Sequence, residues 1–262
     1  MRLSTIKALI LDMDGVLWRD SAPIGDLEAI FASISKQGLK VSLATNNATK
    51  TVSEYLDKLA HLGVTLEPGQ IITSALAMAN VLAQEFPQRG AVFVIGENGI
   101  QRELEAAGFY PISDPQDEMR PVAVVVGFDR ALTYAKLRRA TLHIRSGVPF
   151  YGTNPDRTFP TPQGLIPGTG ATLAALEAAT DTPPRIIGKP FPAMISLALD
   201  RMGVLPEETL VVGDRPETDI AAGQAAGCRT ALLLSGVTTK AQAEAWRPAP
   251  DLIASDLAEL LA

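Results

Sequence analysis

Two aspartates one residue apart, Asp12 and Asp14, follow directly on the apolar run Leu9-Ile10-Leu11 in LILDMDGVLW. Gly15 comes next and permits the sharp turn that a strand end needs there. The chain is turning at this point, so both carboxylates can reach one site. A second apolar run, in VSLATNNATK, ends in Thr45, Asn46 and Asn47. A hydroxyl and amides at a strand end can bind an oxyanion such as a phosphate oxygen, helped by backbone N–H groups. A third run ends in Ile187-Gly188-Lys189-Pro190. Pro190 keeps Lys189 out of the helical region, so the lysine is extended at a strand end. A fourth, LVVGDRPETDI, delivers Asp214 right after Gly213, and Asp219 five residues later, where a helical pattern begins.

Taken singly, each signal is weak. D-x-D is common and Asp favours turns; Thr-Asn-Asn is also ordinary turn chemistry. Asp219 or Thr218 could serve only as a helix N-cap. The combination says more. In an open α/β sheet the ligand crevice lies at the carboxyl ends of the strands. Four strand ends would bring Asp12, Asp14, Thr45, Lys189, Asp214 and Asp219 to one edge of one sheet. Two unit charges ~4 Å apart at an effective dielectric of ~20 repel by about 4 kcal/mol. Such a cluster of carboxylates demands a cation. Every ligand on offer is oxygen, and hard oxygen ligands favour Mg²⁺ over Zn²⁺.

The elements that must position these residues alternate. Strands are expected at Lys7–Leu11, Lys40–Ala44, Ala91–Ile95, Val122–Val126, Pro149–Gly152, Arg185–Ile187, Thr209–Val212 and Arg229–Leu234. Helical patterns cover Thr51–Leu62, Gly99–Ala107, Thr133–Ser146, Thr169–Ala179, Pro192–Met202 and Asp219–Ala226. Alternation of this kind means an α/β protein with a mostly parallel sheet. Near-continuous apolar strands such as KALIL fit a sheet buried on both faces. Pro111–Pro121 and Asn154–Gly170 are rich in Pro, Gly and Thr, and the second is expected to be a long irregular loop.

Composition narrows the classes. The 262 residues suffice for one large domain or two small ones. A net charge of −6 argues against general affinity for nucleic acid or an anionic membrane. One cysteine and two histidines exclude a disulfide framework and a Cys- or His-built metal site. No stretch reaches the about 18 apolar residues of a membrane span, and the apolar start is too short for a secretory leader. A cytoplasmic protein is expected.

With these pieces in order, DMDGV, ATNN, GKP and GDRPETD, the sequence resembles the haloacid dehalogenase (HAD) superfamily of phosphotransferases. GVLWRD, TNN, VIGENG, YGTNPD, PGTG and GDRPETDI resemble its NagD/4-nitrophenyl phosphatase branch. The resemblance implies a Rossmann-like parallel-sheet core and hydrolysis of a small phosphorylated metabolite. Asp12 would be the nucleophile that takes up the phosphoryl group. Asp14 would be the acid and then the base. Thr45, Asn46 and Asn47 would hold phosphoryl oxygens, and Lys189 would neutralise charge. Mg²⁺ would be held by Asp12, the backbone carbonyl of Asp14 and Asp214, with Asp219 behind them. An acid at position 14 favours phosphatase over dehalogenase chemistry.

Spacing then locates an insertion. Only 33 residues separate Asp12 from Thr45, whereas 144 separate Thr45 from Lys189. The longer interval has room for a smaller α/β domain at 80–183, leaving 1–79 and 184–262 as the core. An insertion there resembles a C2-type cap. In that branch the segment after the last cap strand faces the leaving group, which implicates Asn154 and Phe159. The resemblance also allows a homodimer. A kinase or nucleotide-binding oxidoreductase is the first rival, but there is no G-x-x-x-x-G-K-[ST] and no strand-borne G-x-G-x-x-G. A different HAD phosphotransferase is the second rival. The third is a weakly catalytic phospho-binding protein that keeps the fold. Loss of Asp12, Asp14, Lys189 or Asp214 would favour that third reading, and all four are present.

Overall fold

The computed structural model describes residues 5–161 and 163–262. The chain divides into two compact units. The first takes the residues up to Thr45, Val52–Ile72 and Lys189–Ala262; the second takes Asn46–Thr51 and Thr73–Gly188.

The first unit is built on a six-stranded sheet. Its order is Leu252–Ala254, Arg229–Leu233, Thr209–Gly213, Ala8–Leu11, Lys40–Thr45 and Ile71–Thr73. Ala8–Leu11 is central and parallel to both neighbours, with Leu11 opposite Val212 on one side and Leu43 on the other. All four of its residues are buried, as the unbroken apolar run requires. Helices cover the sheet with periodic apolar faces. Leu27–Lys36 buries Leu27, Ile30 and Ile34, and its N-cap Asp26 accepts from Ala29 N at 3.1 Å. The core gathers Leu9, Leu11, Trp18, Leu43, Leu59 and Val212.

The second unit has its own five-stranded parallel sheet: Arg185–Ile186, Phe150–Gly152, Ala123–Val126, Ala91–Ile95 and Tyr110–Ile112. Phe93, Val124, Ile144, Phe150 and Leu176 belong to a separate core. The unit reaches back to Thr73, earlier than 80, because helix Ser74–Glu85 packs on helix Asn98–Ala106.

Two proline-rich stretches carry more structure than their composition suggests. Asn154–Gly170 is not irregular throughout. Thr158–Thr161 pairs antiparallel with Gly164–Pro167, and Phe159 faces Ile166. A two-stranded ribbon is all edge, so Pro160 and Pro167 interrupt no inner ladder. Pro111 likewise lies in the edge strand Tyr110–Ile112.

Candidate active site

The parallel register fixes the site of the first unit. Asp12 follows the end of the central strand, and its N–H donates to Val212 O at 2.8 Å. Thr45 closes the strand on one side and Gly213-Asp214 the strand on the other. Lys189 enters from a separate segment and is 3% exposed. Its Nζ donates to Asp12 Oδ1 at 2.6 Å, Asp219 Oδ1 at 2.6 Å and Ala44 O at 2.9 Å. One ammonium thus ties together three of the strand ends.

Asp219 does not open the helix as its spacing suggests. It lies in a π-helical turn, Pro216–Ile220, ahead of helix Ala221–Ala225. The turn brings its carboxylate back towards the strand, where Oδ2 accepts from Arg215 N at 3.0 Å. A Cβ at position 213 would overlap the Asp219 side chain, so glycine is required for that approach.

Asp214 is held by a segment that no sequence motif marks. Its Oδ2 accepts from Val237 N at 2.9 Å, and Thr238 Oγ1 donates to its backbone carbonyl at 2.5 Å. Ser235 Oγ donates to Gly15 O at 2.7 Å. A Cβ at position 236 would fall onto the Asp214 carboxylate, and one at position 15 would sit 2.5 Å from its Oδ2. Ser235–Thr238 follow the strand Arg229–Leu233, a fifth strand end whose position is the signal that could have placed it at the site.

The electrostatics call for a second cation. Three buried carboxylates, Asp12, Asp214 and Asp219, present oxygens within 4.8 Å of one another. Burial pushes Asp12 well above the ordinary carboxylate range; Lys189 opposes this, and Asp219 and Asp214 add to it. Burial alone would lower Lys189, but Asp12 and Asp219 outweigh it and hold the ammonium charged. Burial and the nearby Asp219 raise Asp214 to about 6. Both oxygens of Asp219 are already engaged, whereas Asp214 Oδ1 is buried and has no hydrogen-bond partner among the described residues. An all-oxygen donor set, with a buried Asp214 oxygen that has no hydrogen-bond partner among the described residues, fits a small hard dication.

Asp14 is exposed, and its Oδ1 accepts from Trp18 Nε1 at 2.8 Å. Tyr55 is buried; burial first, and the charge of Asp14 second, raise its phenol. The sequence motifs assign no role to Tyr55 or to Trp18, although Trp18 lies within GVLWRD.

The remaining expected residues belong to the second unit. The Asn46 carbonyl accepts from Ser74 Oγ at 2.6 Å and Asn154 Nδ2 at 2.9 Å. Asn47 Oδ1 accepts from the N–H and hydroxyl of Thr49 at 2.9 and 2.7 Å. Phe159 stacks on Phe128, with ring centroids 4.3 Å apart.

A parallel sheet ending in an aspartate, with a buried lysine and further carboxylates converging on it, defines a hydrolase of the phosphoryl-transfer type. The family model described as haloacid dehalogenase-like hydrolase matches residues 9–110, and a second of the same class matches 186–260. The chain is 34% identical to chloroplastic phosphoglycolate phosphatase 1A of Arabidopsis thaliana, covering 99% of this chain and 77% of that one. NagD from E. coli K-12 superposes with a TM-score of 0.88 at 33% identity, over 97% of this chain and 98% of that one. The glycerol phosphate phosphatase of Mycobacterium tuberculosis in complex with magnesium gives 0.90 at 34% identity, over 98% and 78%. The chain belongs to the haloacid dehalogenase-like hydrolases, as a NagD-like phosphatase. No helix among the described residues is long and apolar enough to cross a membrane.

Proposed function

We propose that the chain hydrolyses small phosphate monoesters of cytoplasmic metabolites, with Mg²⁺ as cofactor and an aspartyl-phosphate on Asp12 as intermediate. The observation that carries this reading is the Lys189 ammonium, 2.6 Å from both Asp12 and Asp219, beside the unpartnered Oδ1 of Asp214. The lysine favours the anionic form of Asp12 against its burial, and a carboxylate nucleophile reacts in that form. The carboxylates of Asp12 and Asp214, with the backbone carbonyl of Asp14, would hold Mg²⁺. When bound, the ion supplies charge stabilisation to the phosphoryl oxygens. Thr45, Asn46 and Asn47 hold the phosphoryl group and Lys189 offsets its charge. Asp14 protonates the leaving oxygen as Asp12 attacks phosphorus, then takes a proton from the water that releases phosphate.

The second unit, with its own sheet and core, is proposed to act as a cap that reads the leaving group. Its Asn154 and the ribbon bearing Phe159 are the proposed readers. The relatives' names point to phosphoglycolate and glycerol phosphate as substrates to assay first. A homodimer is the proposed assembly.

The test is Asp12→Asn in parallel with metal removal. The variant should keep its melting temperature and lose turnover by several orders of magnitude. EDTA should abolish wild-type activity and added Mg²⁺ restore it. Borohydride trapping should label Asp12 in the wild type alone. Near-normal turnover by Asp12→Asn would sink the mechanism.

A further inference from the structure

Trp18 is one of the largest side chains in the core, 1% exposed, and its single polar atom points back along its own segment. The Nε1–H donates to Asp14 Oδ1 at 2.8 Å, four residues earlier. A tight backbone loop makes this reach possible. Leu17 N donates to Met13 O at 2.8 Å, and Gly15 N donates to Trp18 O at 2.7 Å, with φ of +85° at Gly15. The ring is clamped from its face as well. Lys58 Nζ lies 3.7 Å from the ring centroid, a cation–π contact, and also donates to Asp20 O at 3.1 Å.

Asp14 itself is exposed and sits on a turn. A short exposed carboxylate has several staggered rotamers open to it. An acid–base group must instead stay within hydrogen-bond reach of the oxygen it serves. The indole is the rigid element nearby that selects one orientation, because burial and the lysine immobilise it.

We propose that Trp18 is a positioning residue for the acid–base step. By holding Oδ1, it leaves Oδ2 as the oxygen that carries the transferable proton. In the first half-reaction an Asp12 oxygen forms a bond to phosphorus while the bond to the leaving oxygen breaks. The Asp14 Oδ2 proton passes to that oxygen and frees the alcohol. In the second, water attacks phosphorus and gives its proton back to Oδ2, and the Asp12–phosphorus bond breaks. The inference rests on the reading of Asp14 as the acid–base group. The competing account of the same contact is a buried indole N–H that needed an acceptor.

Leaving-group chemistry separates the two. The 4-nitrophenolate of 4-nitrophenyl phosphate departs with little help from a proton, whereas the alkoxide of glycerol phosphate needs one. Trp18→Phe should lower kcat/KM for glycerol phosphate about tenfold more than for 4-nitrophenyl phosphate, the worth of one hydrogen bond to a charged group. Asp14→Asn should show the same preference more strongly. Because the readout is a ratio between substrates, it is unaffected by the fraction of folded enzyme. As a second variant, the tryptophan analogue benzothienylalanine, which replaces the N–H by sulfur, can be placed at position 18 in a Trp246→Phe background. It should give the same preference with ring size kept. If Asp14→Asn shows the preference but both changes at position 18 lower the two substrates equally, or not at all, the positioning role is overturned. If Asp14→Asn shows no preference, the acid–base reading falls, and the role of Trp18 with it.

Discussion

The side-chain amide of Asn154 donates to the backbone carbonyl of Asn46 across 2.9 Å, joining two segments 108 residues apart. Asn154 is buried; its Nδ2 also approaches Thr153 Oγ1 at 3.4 Å, and its Oδ1 accepts from Asp156 N at 3.1 Å. The geometry therefore gives Asn154 a hold on the Asn46-Asn47 turn. Asn154→Ala should raise KM for all monoesters, and Ki for inorganic phosphate, by about tenfold, as expected for one buried hydrogen bond. Ser74→Ala removes the other donor to the same carbonyl. The double variant should lose more than the two single effects together, because the carbonyl then lacks both donors. Strict additivity in steady-state kinetics would show that the carbonyl is not a shared node.

Gly236 carries no special backbone requirement, since its φ is not positive. It is glycine for space: a Cβ would lie on the Asp214 carboxylate. Gly236→Ala should displace that carboxylate while the strand behind it stays in place. The Mg²⁺ concentration for half-maximal activity should rise by at least about tenfold, in line with the cost of disturbing groups that orient a metal ligand. Melting temperature in EDTA should fall little. An unchanged Mg²⁺ dependence would show that Asp214 can move aside without losing its role.

Lys189→Met leaves Asp12 and Asp219 buried without their cation. Breaking a buried pair in this way costs about 3–5 kcal/mol, read by urea unfolding in EDTA. The deficit should depend on pH. Burial already pushes Asp12 upward, and without the lysine the largest opposing influence is gone. A raised carboxylate binds its proton in the folded state and releases it on unfolding, so stability falls as pH rises through that window. The loss relative to wild type should thus be smallest near pH 5 and grow towards pH 8. A deficit that shrinks with rising pH would contradict this account.

Much of this architecture is legible in the sequence because the physics is local. An unbroken apolar strand such as Ala8–Leu11 fits a sheet buried on both faces, and it lies between Thr209–Gly213 and Lys40–Thr45. The strand-end positions of Asp12, Thr45 and Asp214 follow from the same pattern. What escapes the sequence is set by tertiary contact. Thr238 and Gly236 touch Asp214 from a segment whose turn chemistry is ordinary. Asp219 reads as a helix start, but a π-helical turn takes its carboxylate to Lys189. The ribbon at Thr158–Thr161 is hidden by its prolines, which an edge-only pair tolerates. Trp18 looks like core, and it is core, yet its one polar atom faces Asp14.

Phe159 is the residue of the second unit on which the specificity proposal turns. Its ring stacks on Phe128 at 4.3 Å and 17°, and the Arg130 guanidinium lies 4.8 Å from the Phe128 centroid and 5.4 Å from that of Phe159. Arg130 is itself fixed by a two-pronged pair with Glu97, at 2.7 Å to each oxygen. The ribbon is therefore pinned to its own sheet through an aromatic pair, worth about 0.5–1.5 kcal/mol beyond the area buried. Phe159→Ala should release it: amide exchange across 158–167 should quicken, while the sheet strands Ala91–Ile95 and Ala123–Val126 keep their protection. Phe159→Leu, which keeps apolar bulk without a stack, should fall between. If the ribbon reads the leaving group, loosening it must act unequally on leaving groups of different shape. The ratio of kcat/KM between 4-nitrophenyl phosphate and glycerol phosphate should then change by more than about threefold, the scale of a fraction of one packing contact. Faster exchange with an unchanged ratio would make Phe159 an anchor only, and would move the specificity role to another segment of the same unit.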